Sequence, residues 1–179
     1  GYVREKIAEK FHIDRDKLEK KNNLLQKKIS NGSISEDVFL AELTGSDKKT
    51  IQKIKNLIRS LNRVIYPGLL GLMKKLKRNY KLVLTNNEGK EWNEFRINKF
   101  NLSKIFDEIL TSCLIGYSKP SEDYFKEVLA RLNITPSELL FIDNTIKNVI
   151  SARNLRIVAV HFKNPDQLIG ELSLLEILN

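Results

Sequence analysis

Three stretches of the sequence bring a polar side chain to the end of an apolar run or into a braced loop, where it could do chemistry. KLVLTNNEGKEW (81–92) ends its run in Thr85, followed by Asn86 and Asn87. A hydroxyl with free backbone N–H groups at a helix start makes an anion site, although the same residue types also serve as plain helix caps. SCLIGYSKPSEDYF (112–125) sets Lys119 in a loop between Gly116 and Pro120. Proline holds the residue before it extended, so the ammonium can be aimed; an exposed loop lysine ahead of a helix start would read the same way. LLFIDNTIKNV (139–149) carries four apolar residues straight into Asp143. A carboxylate at the mouth of a buried strand is costly unless a cation meets it, and Lys119 or Mg²⁺ would serve. As a simple cap of the next helix, Asp143 would need neither.

These residues need elements to position them, and the chain after residue 66 supplies the pattern. Strands are expected at 81–85 (KLVLT), 107–111 (DEILT), 139–143 (LLFID) and 156–160 (RIVAV), with helices between and after them. Strands alternating with helices of this length imply crossover connections and a parallel sheet. In such a sheet ligands gather beyond the carboxyl ends of the strands, where Thr85 and Asp143 fall. The first 65 residues read as helical throughout. Val3, Ile7 and Phe11 share one face, a second helix covers roughly 16–29, and Ser33 to Glu36 resembles a capping box before a third. A fourth helix, after Gly45-Ser46, spaces Ile51, Ile54, Ile58, Leu61 and Ile65 three or four apart. The expected organisation is therefore a helical unit, 1–65, joined to an α/β unit with a Rossmann-like parallel sheet, 66–179.

Composition sets the outer bounds. With 179 residues the chain is long enough for a substantial core. Its net charge of +9 comes from lysines spread along helix faces and interleaved with Leu and Ile. That is the pattern of solvated helix surfaces, and no aromatic-studded basic stripe marks a nucleic-acid partner. The apolar runs fall short of a membrane span. The lone Cys113 cannot form an internal disulfide, which suits a reducing compartment, and a cytoplasmic location is expected.

Taken together, T-N at 85–86, G-x-x-K-P at 116–120 and the D-N-x-x-x-N of 143–148, in that order and at strand ends, resemble the haloacid dehalogenase superfamily of hydrolases. The likeness is to the branch with a small helical cap near the N-terminus. The resemblance implies that Thr85 binds phosphate, Lys119 neutralises it, and Asp143 holds Mg²⁺, with Asn144 as a weaker contributor. It assigns Asn86 to substrate contacts and Asn148 to support of the loop after Asp143. The implied activity is a Mg²⁺-dependent phosphatase acting on a small phosphorylated metabolite through an aspartyl-phosphate.

The family's nucleophile lies in a D-x-D motif at the end of a first, central strand between those carrying Thr85 and Asp143. Here it is expected upstream, on roughly 15–25 residues preceding Gly1. Without that strand, two rows of backbone groups would face each other unpaired. Asp14-Arg15-Asp16 is not that motif. It follows the tail of an amphipathic helix and reads as a turn with an Asp N-cap. Asn144 stands where many members carry a second acid, leaving open two alternatives: a catalytically inactive binding or interaction domain, or a dehalogenase whose nucleophile attacks carbon. Cys113, without a paired His, reads as an apolar filler, and His161 as structural or solvent-facing. Trp92 is expected against the helical unit, and Phe39, Leu40 and Tyr66 are expected chiefly as core.

Overall fold

The computed structural model describes residues 2–61 and 67–178. Four helices come first: α1 (Tyr2–Phe11), α2 (Arg15–Ser30), α3 (Glu36–Thr44) and α4 (Lys48–Leu61). Asp14 starts α2 by accepting the Lys17 N–H at 2.7 Å, so Asp14-Arg15-Asp16 is the helix-to-helix turn its pattern implied. The N-cap of α3 is Ser35, accepting from the Val38 N–H at 3.3 Å, rather than Ser33. Glu36 does not close a capping box. It turns inward to Arg59 and Lys55 and is 1% exposed. Gly45 ends α3 at φ +70°, a conformation glycine adopts without steric cost.

The apolar faces of these helices meet in one cluster that includes Ile7, Leu18, Ile29, Leu40, Ile54 and Ile58, with Phe39 buried among them. The spacing of Ile51, Ile54 and Ile58 on α4 places all three inward, as a 3.6-residue period requires. Ile65 and Tyr66 lie outside the described residues.

The second half runs α5 (Pro67–Leu76), β1 (Val83–Asn86), α6 (Lys90–Phe100), α7 (Leu102–Ile105), β2 (Glu108–Thr111) and α8 (Ser112–Ile115). It continues with α9 (Glu122–Leu132), a 3-10 turn at Pro136–Glu138, β3 (Leu140–Asp143), α10 (Ile146–Asn154), β4 (Val158–His161) and α11 (Pro165–Leu174). Each strand has four residues. β4 starts two residues later than its apolar pattern suggests because Arg156 takes φ +62° at the end of α10. β1 starts late because Leu82 gives its N–H to the Asp107 carboxylate, not to a strand partner.

Both strand pairings are parallel. β1 pairs with β2 from Val83↔Glu108 to Asn86↔Thr111, and β3 with β4 from Leu140↔Val158 to Asp143↔His161. Among the described residues they form two separate two-stranded sheets rather than one, and the gap falls between the strands carrying Thr85 and Asp143. One apolar cluster nevertheless joins the two sheets. Tyr124, Phe125, Val128 and Val149 pack around Leu110, Phe141 and Ala159, while Leu72, Val160, Leu168 and Leu172 form a further cluster.

The two halves touch closely at the start of α6. A Cβ on Gly89 would stand 2.8 Å from Ile29 Cδ1, so any larger residue would require the Ile29 side chain at the end of α2 to shift. Beside it Ser112 Oγ donates to the Ser30 carbonyl and accepts the Glu88 N–H at 3.0 Å. No helix among the described residues is long and apolar enough to cross a membrane.

Candidate active site

Two parallel strands and one loop converge. β1 ends in Thr85 and Asn86, β3 ends in Asp143, and the loop from α8 to α9 carries Lys119. The Lys119 ammonium donates to Asp143 Oδ2 at 2.8 Å and to the backbone carbonyl of Thr85 at 3.0 Å, tying the two sheets together across their gap. Its backbone is clamped twice by Asn87. The Lys119 N–H donates to Asn87 Oδ1 at 2.9 Å, and Asn87 Nδ2 donates to the Lys119 carbonyl at 2.7 Å. The Phe141 and Tyr124 rings lie 5.3 and 6.0 Å from the ammonium, a low-dielectric wall that also offers cation–π attraction. The Lys119–Pro120 peptide is cis, and Ser151 Oγ donates to the Pro120 carbonyl.

Asp143 is satisfied on both oxygens. Oδ1 accepts the Thr145 N–H at 2.7 Å, and Oδ2 accepts the Asn148 amide at 3.1 Å besides the Lys119 ammonium. Burial pushes its carboxyl up, but hydrogen bonding and charge from Lys119, with the Thr145 and Asn148 donors, outweigh this and hold it below its ordinary value. The side chains of Lys119 and Asp143 are 6% and 8% exposed, so this is a desolvated pair whose strength depends on its remaining bonds. Tyr124 buries its hydroxyl on the Leu110 carbonyl at 2.9 Å, and burial raises its pKa beyond the titrating range.

The structure brings Thr85, Lys119, Asp143 and Asn148 together, and it places Asn148 in the supporting position expected of it. Asn86 differs, because its Nδ2 turns away to Glu88 Oε2 at 2.8 Å. Asn144 is exposed, and its carbonyl meets His161 Nε2 at 3.1 Å, so His161 braces the same rim. Asn87, Tyr124 and Ser151 are parts of the site that sequence reading missed. Only the clamp could have been suspected, since Asn87 is a second amide in the same turn. Cys113 is half-buried, and burial raises its thiol's pKa, so it stays protonated. Trp92 packs edge-on to Phe39 at 5.6 Å.

Between β1 and β3 lies a cleft of about 800 Å³. Its walls are apolar, with Leu84, Leu140 and Phe141 among them, and Thr85, Lys119 and Asp143 stand at its polar end. β1 and β3 are not paired with one another among the described residues, and an unpaired strand edge offers a row of backbone donors and acceptors.

Mg²⁺ takes oxygen donors, commonly one or two carboxylates plus water and phosphate. No group of three His, Cys, Asp or Glu side chains that could hold a metal occurs among the described residues. Asp143 Oδ2 already receives two donors, but Oδ1 receives one and keeps a lone pair. With the exposed Asn144 beside it, this set fits Mg²⁺ at its lower limit, one carboxylate, provided a further acid and a phosphate complete the shell.

A model of the haloacid dehalogenase-like hydrolase family matches residues 4–161. The chain is 28% identical over 117 residues to bifunctional epoxide hydrolase 2 of Mus musculus, covering 64% of this chain and 21% of that protein. It is 31% identical over 82 residues to flavin mononucleotide hydrolase 1 of Arabidopsis thaliana, covering 46% of this chain and 34% of that protein. The chain thus spans about a fifth to a third of these curated relatives. Among solved structures, a HAD-like family hydrolase from Porphyromonas gingivalis superposes with TM-score 0.71 at 22% identity, covering 93% of this chain and 92% of that one. A HAD family enzyme from Bacteroides thetaiotaomicron, solved as a magnesium complex, gives TM-score 0.68 at 21% identity over 84% of this chain and 86% of that one. At these identities the structural likeness establishes the fold.

Proposed function

Because the chain belongs to the haloacid dehalogenase-like hydrolases, we propose that it hydrolyses a phosphate monoester, with residues 66–179 as the reacting core and 1–65 as a cap. The attacking carboxylate sits on a strand that fills the cleft between β1 and β3, upstream of Gly1. It displaces the alcohol from phosphorus, breaking the P–O ester bond as the C–O–P acyl-phosphate bond forms, and a second acid on that strand protonates the leaving oxygen. Water then attacks phosphorus, releasing inorganic phosphate and restoring the carboxylate.

The residues of this chain hold and neutralise the phosphoryl group. Thr85 and the N–H groups that follow it receive phosphate oxygens. Lys119 meets the negative charge that builds in the transition state, and Asp143 aims the ammonium. Asn87 fixes the lysine backbone, which removes the entropy of positioning it. Asp143 Oδ1 and Asn144 would hold Mg²⁺ together with an acid from that strand, and the ion would supply further charge neutralisation.

One observation carries this reading: a buried ammonium, fixed at 2.8 Å from Asp143 and 3.0 Å from the Thr85 carbonyl, at the mouth of a cleft between unpaired strand edges. The test is turnover of an aryl phosphate by the full-length protein, with and without Mg²⁺. Phosphate release that disappears with a chelator and returns with Mg²⁺ is expected. Halide release from a 2-haloacid without metal, or no turnover across a broad phosphate panel, overturns it.

A further inference from the structure

The last carbonyls of α2 have no partner inside the helix and must find donors elsewhere. Three are met by the chain that follows. The Asn31 N–H donates to the Lys27 carbonyl at 3.0 Å, the Ser33 N–H to Lys28 at 2.9 Å and the Gly32 N–H to Ile29 at 3.2 Å. The Ser30 carbonyl is met from the other half of the molecule, by the hydroxyl of Ser112. Ser112 is fully buried, and its oxygen also accepts the Glu88 N–H at 3.0 Å. A carbonyl only accepts and an N–H only donates, so both roles of this hydroxyl are fixed. Gly32, at φ +78°, brings the chain after α2 against the next residue along, where a Cβ would stand 3.1 Å from the Cys113 carbonyl.

Ser112 also adjoins the reacting centre. It directly follows β2, whose last pair with β1 is Asn86↔Thr111, so Asn87 lies just beyond the end of the ladder. The bond from Glu88 to Ser112 fixes the backbone immediately after Asn87, and the Asn86 amide on Glu88 Oε2 closes the same turn at 2.8 Å. Asn87 in turn holds both the N–H and the carbonyl of Lys119. One hydroxyl thus ties the end of a helix in the helical half to the turn after β1 and, through Asn87, to the lysine of the candidate site.

Resting on the hydrolase reading above, we propose that Ser112 is a positioning residue: its hydroxyl holds the Asn87 turn against the end of α2 and so keeps the Lys119 ammonium in place for the phosphoryl group. The helical half then contributes to the geometry of the reaction without touching the phosphate. Removing the hydroxyl leaves the Ser30 carbonyl and the Glu88 N–H unpaired and lets the turn shift. An ammonium that meets charge as it develops in the transition state loses kcat rather than KM when it drifts.

The test compares Ser112→Ala, Ser112→Thr, Asn87→Ala and the double variant Ser112→Ala/Asn87→Ala of the full-length protein, with an aryl phosphate as substrate. Ile54→Ala, which is destabilised inside the helical cluster, is the control and is expected to melt earlier with kcat unchanged. Ser112→Ala is expected to lower kcat about tenfold or more with KM within about twofold, and Ser112→Thr, which keeps the hydroxyl, to restore most of that loss. Because Ser112 acts through Asn87, the double variant loses no more kcat than Asn87→Ala alone. If Ser112→Ala does not fold, Ser112→Cys, with a weak S–H donor in place of the hydroxyl, gives the same comparison. Hydrogen exchange reads the tie without substrate: the Glu88 and Lys119 amides, each bonded to a side chain, are protected in the wild type and lose protection together in Ser112→Ala. Unchanged kcat in the folded variant, losses that multiply in the double variant, or a wild-type Glu88 amide that exchanges freely overturns the assignment and leaves the hydrolase reading standing. A wild type without turnover overturns the hydrolase reading; the tie from Ser112 to Lys119 then stands if the Lys119 amide loses protection in Ser112→Ala and falls if it does not.

Discussion

The helical half and the strand half of this protein solve the problem of burial differently. Helices α1–α4 close on one another, and their apolar residues form a single cluster with the Glu36 carboxylate as the main charge inside it. The strand half is divided in its backbone: one apolar cluster reaches Leu110 of β2, Phe141 of β3 and Ala159 of β4 alike, yet the strands form two separate sheets, and an ammonium bridges the gap between them. A helix satisfies its backbone within itself, whereas a strand edge needs a neighbour, so only the strand half can hold a gap that calls for a further chain segment. That gap is also where the charged chemistry sits. The part of the molecule that is least self-sufficient in backbone pairing is the part to which the proposed chemistry belongs.

The strongest way to break this comparison is Lys119→Ala. It leaves Asp143 buried without its cation, which costs about 3–5 kcal/mol of stability. It also removes the positive charge from the phosphate site, with an expected loss of about 10²–10³ in kcat. Thermal unfolding and turnover of the same preparation measure both. A variant that keeps full turnover would mean that the ammonium is a structural tie between the sheets and nothing more.

Cavity substitutions sharpen the comparison next. Ile54 is fully buried in the helical cluster, and Ile54→Ala is expected to cost about 2–5 kcal/mol. Leu84 faces the 800 Å³ cleft. If a strand fills that cleft in the full-length protein, Leu84→Ala costs a similar about 2–5 kcal/mol, because it then lies in a packed core. A penalty below about 1 kcal/mol, close to the range of ordinary surface substitutions, would mean the cleft stays open and would remove the place proposed for the nucleophile. Chemical denaturation of the two variants decides it.

The two buried carboxylates should respond to acid in opposite directions. For Glu36, burial outweighs Arg59 and Lys55 and raises its carboxyl above the ordinary value. The folded state therefore binds more protons than the unfolded state between those two pKa values, and stability rises as pH falls through that window. Asp143 is held below its ordinary value, so its contribution is complete above the unfolded pKa and is lost as pH falls through the folded one. Hydrogen exchange measured from pH 7 towards pH 3 is expected to show protection rising first in α3 and α4, then falling at β3 and α10. A simultaneous loss in both halves would sink this assignment.

Much of this was legible in the sequence because it is local. Apolar runs at 81–85, 107–111, 139–143 and 156–160 located every strand to within two residues. Thr85, Lys119 and Asp143 each read singly as a helix cap or a loop residue, and only their combined resemblance to a family pattern joined them into one candidate site. The gap between β1 and β3 followed from resemblance to a family pattern and not from any residue. What escaped was set by contacts distant in the chain. Glu36 looked like a capping residue until Arg59 and Lys55 drew it inward, and Ser35 took over the cap. The Asn87 clamp on Lys119 joins residues 32 apart, and no spacing rule reaches that far.

The smallest expected effect belongs to Asp14, and it tests how independent the two halves are. Its carboxylate caps α2 through the Lys17 N–H at 2.7 Å and lies on the exposed surface of the helical half. Asp14→Ala leaves that N–H to water and should cost about 1 kcal/mol, the usual value of such a cap. α2 also carries Ile29, packed against Gly89 at the turn that leads to Glu88 and Asn87. If α2 is a rigid strut, losing its first cap frays only its first turn, and kcat and KM stay as they were while the melting temperature drops by a few degrees. If KM for the aryl phosphate rises along with that drop, the far end of α2 has moved and the helical half transmits its strain through Gly89 to the turn that carries Asn87. The boundary between a self-contained packing unit and a reacting one would then have to be drawn inside α2 rather than after α4.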